Sequence, residues 1–176
     1  ADVVCLQEVR KLNRKAERRF ASWPRQPQAE YLAPAGYQSV YMTNAVTAHG
    51  EHGNAMLSRW PVLSHQHQDI SDHRFEQRGL LHSVIDVQGR HVHVIVVHLG
   101  LLGASRMRQA RQLQQFIARQ VPASAPLLVA GDFNDWSQKL QTILAQSGLH
   151  NTPGCPTFPS RLPLAQLDHV YARGLH

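Results

Sequence analysis

Apolar residues fall along the chain in two alternating rhythms, short continuous runs and helical spacings, and these lay out the elements. Val3 to Leu6 is a short apolar run that predicts a buried strand. Val9, Leu12, Ala16 and Phe20 then recur at helical spacing, so a helix is expected over Glu8 to Phe20, ended by the Pro- and Gln-rich connection Trp23 to Pro34. Tyr37 to Met42 and Asn54 to Ser58 predict strands around a Gly/His loop, His49 to Gly53. Leu80 to Val87 and His91 to His98 flank Gly89 as a hairpin. In the second of these strands Val92, Val94 and Val96 point one way, and His91, His93, Ile95 and Val97 the other.

Ser105 is placed to cap a helix from Arg106 to Val121, with Met107, Ala110, Leu113 and Ile117 as its inward stripe. Leu127 to Ala130 predicts a buried strand running into Gly131-Asp132-Phe133-Asn134. A short helix from Ser137 to Ser147 stops at Gly148, and after a Pro-rich loop Leu167 to Ala172 reads as a last strand. Interleaved strands and helices without internal repeats indicate one α/β or α+β domain.

Composition narrows the partners more than the fold. With 176 residues, 43% of them apolar, the chain can bury a substantial core, and long disordered segments are excluded. A formal charge of +6 favours polyanions such as nucleic acid or anionic lipid surfaces, although a generic solvated surface has the same balance. The Arg-rich stretches Arg10 to Arg19 and Arg106 to Arg119 both fall on expected helices. Cys5 and Cys155 make no disulfide framework. No apolar run approaches the roughly 20 residues of a membrane span, and no signal peptide is visible. The expectation is a monomer without a transmembrane segment, in the cytoplasm. The chain opens inside a strand without an initiating Met, which predicts a domain incomplete at its start.

Four acidic or amide side chains share a strand-end context. Glu8 follows the strand Val3 to Leu6, Asp132 and Asn134 follow Leu127 to Ala130, and Asp168 starts the last strand. Carboxylates and an amide gathered at one sheet edge would offer hard oxygen ligands suited to Mg²⁺ or Mn²⁺. Gly131 would permit close backbone approach beside them. Taken singly, Glu8 reads as readily as a helix-start residue, Asp132 and Asn134 as turn formers, and Asp168 as a strand-end charge. His98 ends an apolar strand; it is either a satisfied core histidine or a donor to a phosphate oxygen. Asn54 is a turn residue or a cleft hydrogen-bonder. His65 with His67, and His91 with His93, share faces, but no HExxH or Cys/His set accompanies them, so zinc is not expected. Trp136, two positions after Asn134, is the best candidate for a cleft wall.

Together these pieces resemble the endonuclease/exonuclease/phosphatase superfamily, which is similar in kind to deoxyribonuclease I. The matching segments are Asp2-Val3-Val4-Cys5-Leu6-Gln7-Glu8-Val9, Gly53-Asn54-Ala55-Met56-Leu57-Ser58-Arg59, Val94-Ile95-Val96-Val97-His98-Leu99 with Arg106 and Gln109 after it, Gly131-Asp132-Phe133-Asn134, and Leu167-Asp168-His169-Val170. The resemblance implies an α+β, four-layer α/β/β/α sandwich of two mixed β-sheets, here lacking the first and last strands. It implies a single domain over residues 1–176, incomplete at both ends. It makes Glu8 the principal metal ligand and has Asp132 and Asn134 orient the attacking water or hold metal and phosphate. His98 would contact the scissile phosphate, and Asp168 would orient a second histidine that neither His169 nor His176 replaces. The stretch His52 to Arg59, with Arg74, Glu76 and Arg78, looks most like small bacterial members, and Arg78 is expected to reach the cleft.

The implied activity is divalent-metal-dependent hydrolysis of a phosphodiester or phosphomonoester in nucleic acid, a lipid head group or a small phosphoester. The competing reading is a catalytically silent, basic module that binds nucleic acid or anionic lipid. No long basic insertion lies between Leu99 and Arg106, which favours a small phosphoester or lipid head group over gripped DNA.

Overall fold

The computed structural model describes residues 1–136 and 139–175. Its strands form two sheets. A three-stranded antiparallel sheet contains β1 (Val3–Asn13), β2 (Gln38–Thr47) and β3 (Gly50–Ser58) in the order β1-β3-β2. A six-stranded sheet contains β4 (Val62–Asp69), β5 (Gly79–Val87), β6 (Arg90–His98), β7 (Leu127–Asp132), β8 (His150–Asn151) and β9 (Asp168–Arg173) in the order β4-β5-β6-β7-β9-β8. This second sheet is mixed, because β6 and β7 run parallel while its other pairs are antiparallel. A parallel pair needs a crossover. Here that crossover is the long helix α3 (Gly103–Gln120), preceded in the chain by the short helices α1 (Arg14–Arg19) and α2 (Gln28–Leu32) and followed by α4 (Leu140–Ala145).

Three apolar clusters mark the spaces between the four layers. Val40, Met56, Leu81, Val92, Val94 and Val96 fill the gap between the sheets. Ile95, Val97, Leu113, Phe116, Leu140 and Leu144 join the six-stranded sheet to α3 and α4. Val9, Ala29, Ala55 and Leu57 join the three-stranded sheet to α2. The alternation expected for β6 is therefore realised: its even-numbered valines face the other sheet, and Ile95 and Val97 face the helices. Gln88 and Gly89, with φ of 55° and 84°, make the two-residue turn between β5 and β6 that matches strand twist.

Several boundaries differ from the sequence-based expectation. The apolar spacing after Glu8 does not build a helix there; β1 continues to Asn13, and only Arg14–Arg19 is helical. The Gly/His segment 50–53 is strand, not loop. Polar β4 carries no apolar run to announce it, and α2 arises within the Pro- and Gln-rich connection. Ser105 does not cap α3, which starts at Gly103 after Leu102; its hydroxyl instead donates to Asp72 Oδ2 at 2.5 Å. The described part of the helix expected from Ser137 is Leu140–Ala145, and Ser137 itself lies outside the described residues. Cys5 and Cys155 are both free thiols, and burial pushes the Cys5 thiol up to about 12.

Candidate active site

Strand direction brings three of the expected residues into a row. His98 is the last residue of β6, and Asp132, the last of the parallel strand β7, is its register partner. Strand β9 runs the opposite way, so its first residue, Asp168, pairs with Asp132 at the same edge. All three lie in phase with residues that face the other sheet, His98 with Val94 and Val96, Asp132 with Leu128, and Asp168 with Val170.

The fourth residue arrives from the other sheet through a bulge. Val4, Leu6 and Val9 all face α2, so the alternation of β1 slips between Leu6 and Val9. Opposite them, Ala55 and Gly53 are only two positions apart, which leaves one extra residue on β1. Glu8 sits in that slip at φ 55°, a left-handed conformation that only a few per cent of non-glycine residues adopt. The bulge turns its carboxylate away from the helix side, where strict alternation would put it. Glu8 Oε1 comes to 3.9 Å from His98 Nδ1, while Asp132 Oδ2 lies 3.7 Å from His98 Nε2. Glu8 is thus a mid-strand bulge residue, not a residue at the start of a helix.

Asn134 also has positive φ, 50°, and it serves the site mainly as a clip. Its backbone N–H donates to Asp132 Oδ1 at 2.8 Å, and its side-chain Nδ2 donates to the Leu99 carbonyl at 2.9 Å. That contact uses one N–H of the amide and fixes the side chain against the Leu99 backbone. Gly131 permits the approach of β7 to β6 here: its φ is 151°, and a Cβ on it would lie 1.9 Å from the Val97 carbonyl oxygen. Asp135, buried beyond it, accepts from the Leu140 N–H at 2.8 Å and ties the turn to α4.

The charge of Arg78 is felt by both His98 and Asp132, and two residues to which the sequence reading gave no task stand with it. Arg78 Nη2 donates to Glu76 Oε1 at 3.2 Å, and that oxygen also accepts from the Leu101 N–H at 3.1 Å. His52 on β3 lies in the field of Glu8, Arg10 and Arg78. Both lay in the segments noted as resembling small bacterial members, but their convergence depends on contacts between distant segments. Gln109 and Arg106 complete the frame: Gln109 Oε1 accepts from the Gly100 N–H, and the Arg106 guanidinium donates to the Gly100 and Leu101 carbonyls.

Asn54 is a strand residue, not a turn residue. It is fully buried in β3, and its Nδ2 donates to the Gly79 and Val96 carbonyls, bridging the two sheets behind the site. Trp136 is exposed and stands edge-on to Phe158 with ring centroids 5.6 Å apart. His169 packs edge-on against Phe133 on the helix side of β9, away from the row of acids, and His176 lies outside the described residues.

Electrostatics divide the tasks. Burial lowers the His98 imidazole to about 4, with the Arg78 charge acting in the same direction against Glu8 and Glu76. The ring is therefore neutral at pH 7, with one N–H to donate. Burial raises the Asp132 carboxyl; the Asn134 N–H opposes this, while the charges of Asp168 and Glu8 push it further up. A carboxylate made more basic in this way is a better proton acceptor. Among the described residues no set of three His, Cys, Asp or Glu side chains closes into a metal cage. Glu8, Asp132 and Asp168 are the hard oxygen donors of this edge, and each could hold a cation that keeps several of its waters. Beside the row, a cleft of about 630 Å³ opens along Val3, Cys5, Gln7, Leu128 and Asp168.

A two-sheet sandwich of this kind defines a class, the proteins of the deoxyribonuclease I-like fold. The chain belongs to the Endonuclease/Exonuclease/phosphatase family, whose profile it matches over residues 1–176. It is 39% identical over 184 aligned positions to the uncharacterized protein YbhP of Escherichia coli K12, covering 98% of this chain and 72% of YbhP. In structure it is similar to an endonuclease/exonuclease/phosphatase from Beutenbergia cavernae, with TM-score 0.73, 23% identity and coverage of 98% of this chain and 55% of that one. It is also similar to the mannosyl-6-phosphatase Bt3783 of Bacteroides thetaiotaomicron, with TM-score 0.69, 15% identity and coverage of 98% and 71%. No helix among the described residues is long and apolar enough to cross a membrane.

Proposed function

We propose that this chain carries the catalytic edge of a divalent-metal-dependent phosphoesterase that hydrolyses a phosphodiester or phosphomonoester. The observation behind this reading is the approach of Glu8 and Asp132 to one imidazole from opposite sheets. Glu8 and Asp132 are the residues that would hold Mg²⁺ or Mn²⁺, which when bound supplies positive charge to the phosphate oxygens. Asp132 Oδ1 is fixed by the Asn134 N–H, which leaves Oδ2 to accept a proton from the attacking water. Neutral His98 donates its N–H to a non-bridging phosphate oxygen, and Arg78 adds cationic charge on the same side. Asp168 raises the basicity of Asp132 through its neighbouring charge.

A silent module for polyanions is disfavoured by the same observation. Three carboxylates at one edge repel a phosphate unless a cation stands between them. The test is hydrolysis of bis(p-nitrophenyl) phosphate and p-nitrophenyl phosphate with Mg²⁺, Mn²⁺ or EDTA. Turnover by the full-length protein is expected with metal and absent in EDTA, while the 176-residue chain alone is expected to show little or none. Turnover that survives in Asp132→Ala would sink the assignment.

A further inference from the structure

Three loops at the catalytic edge display large apolar side chains to solvent, and each loop is held rigidly from beneath. Phe75 is 82% exposed, Leu101 68%, Leu102 62% and Trp136 62%. The loop that carries Phe75 is fastened at its base. Asp72 accepts from Arg108 and Ser105 of α3, and the Arg78 N–H donates to Ser71 Oγ at 2.9 Å. The loop carrying Leu101 and Leu102 is fastened by Gln109, Arg106 and Glu76, and Asn134 ties it to the turn that carries Trp136. Such side chains are not apolar groups that failed to reach a core. Their backbones are fixed, so presenting them costs little ordering when a partner binds.

The chemistry of this rim selects its partner. The Arg74 guanidinium lies 4.7 Å above the Phe75 ring, and among the described residues no carboxylate forms an ion pair with it. A cation beside an aromatic ring, next to two consecutive leucines, matches the boundary between anionic head groups and acyl chains. A nucleic acid would instead call for several Lys or Arg along a groove. The segment from Leu99 to Ser105 has none. We infer that the rim formed by Phe75, Leu101 and Leu102, with Arg74, docks the catalytic edge onto a bilayer surface containing anionic phospholipid. This rests on the phosphoesterase reading above and deepens it: the ester attacked is then one in a lipid head group at that surface.

Co-sedimentation with vesicles tests the docking without using turnover. The chain is expected to bind vesicles of phosphatidylcholine with phosphatidylglycerol and to bind pure phosphatidylcholine weakly. Phe75→Ser and the double variant Leu101→Ser with Leu102→Ser should each lower the lipid affinity by roughly tenfold or more, as expected when apolar area no longer enters the interface. Circular dichroism should be unchanged, because these side chains are solvent-facing. Asp132→Asn, which removes a negative charge from the edge, should bind vesicles at least as tightly as the parent, so loss of the hydrolytic assignment and loss of the docking assignment are separate results. No vesicle binding, or binding indifferent to these substitutions, overturns the proposal. So does concentration-dependent dimerisation, or binding of double-stranded DNA, that the same substitutions abolish.

Discussion

Glu8 and Asp132 reach the two nitrogens of the His98 ring from different sheets, at 3.9 Å and 3.7 Å. The strand bearing Glu8 belongs to the three-stranded sheet, and the strand bearing Asp132 to the six-stranded one. Neither sheet alone makes the site. The spacing of the acids is set by the apolar layer between the sheets and by Asn54, whose amide bridges that layer to two backbone carbonyls.

Asp132 should trade stability for activity. Its carboxyl is raised by burial and by the charges of Asp168 and Glu8, so its ionised form weakens the fold at neutral pH. Asp132→Asn removes that charge in a similar volume. In EDTA its thermal midpoint should equal or exceed the parent's, while metal-dependent turnover falls by about 10²- to 10⁴-fold, the range for a lost general base. A lowered midpoint together with unchanged turnover would contradict both halves.

Asn134 combines two stabilising features that substitution can separate. In Asn134→Ala the left-handed φ of 50° becomes strained, and the buried Leu99 carbonyl loses its donor. Asn134→Gly loses only the donor. Strain at such a position costs roughly 1–2 kcal/mol, and an unmade buried hydrogen bond about 1–3 kcal/mol. Denaturant unfolding should therefore rank the parent above Gly and Gly above Ala, with the last two about 1 kcal/mol apart. Equal destabilisation by both would show that the turn is unstrained.

How much of this was legible in the sequence depends on whether a signal was local. His98, Asp132 and Asp168 were readable as strand ends, because apolar runs beside them fix both strand direction and edge. Glu8 was singled out among the acids of this edge but placed in the wrong element. Val9, Leu12, Ala16 and Phe20 imitate helical spacing, yet Val9 owes its position to the bulge that shifts the phase of β1. A one-residue slip in a strand leaves no periodicity of its own. Strand β4 was missed because it is a polar edge strand. The bridge from Asn54 was not legible because its partners, Gly79 and Val96, are far away in sequence, and the same holds for the Arg78–Glu76–Leu101 linkage.

Glu8 should control metal affinity without holding up the fold. Its side chain is 63% exposed, and its contact with the neutral His98 ring is a long one, 3.9 Å. Glu8→Gln keeps length and backbone preference but removes a ligand charge. The Mg²⁺ concentration for half-maximal turnover should rise by about tenfold or more, with the unfolding midpoint in EDTA nearly unchanged. An unaltered metal dependence would move the ligand role elsewhere.

A histidine pair remote from the acids should set the acid limit of stability. His82 and His93 stack beneath α3 with centroids 5.1 Å apart, and His82 Nε2 lies 2.9 Å from His93 Nδ1. Gln66 Nε2 approaches the other nitrogen of His82 at 3.0 Å, and Phe116 meets its ring edge-on. Burial, reinforced by the charge His93 would carry, lowers His82 to about 4. The folded value thus lies below the ordinary value of about 6.5, so the unfolded chain takes up this proton first. Stability from neutral His82 is complete above about pH 6.5 and is lost as the pH falls toward 4, by at most about 3 kcal/mol. Urea unfolding of the parent should show a declining free energy across that window. His82→Gln, which keeps a hydrogen-bonding group but cannot titrate, should flatten the decline while being less stable than the parent at pH 7. An identical pH slope in the two proteins would assign the acid sensitivity to other histidines.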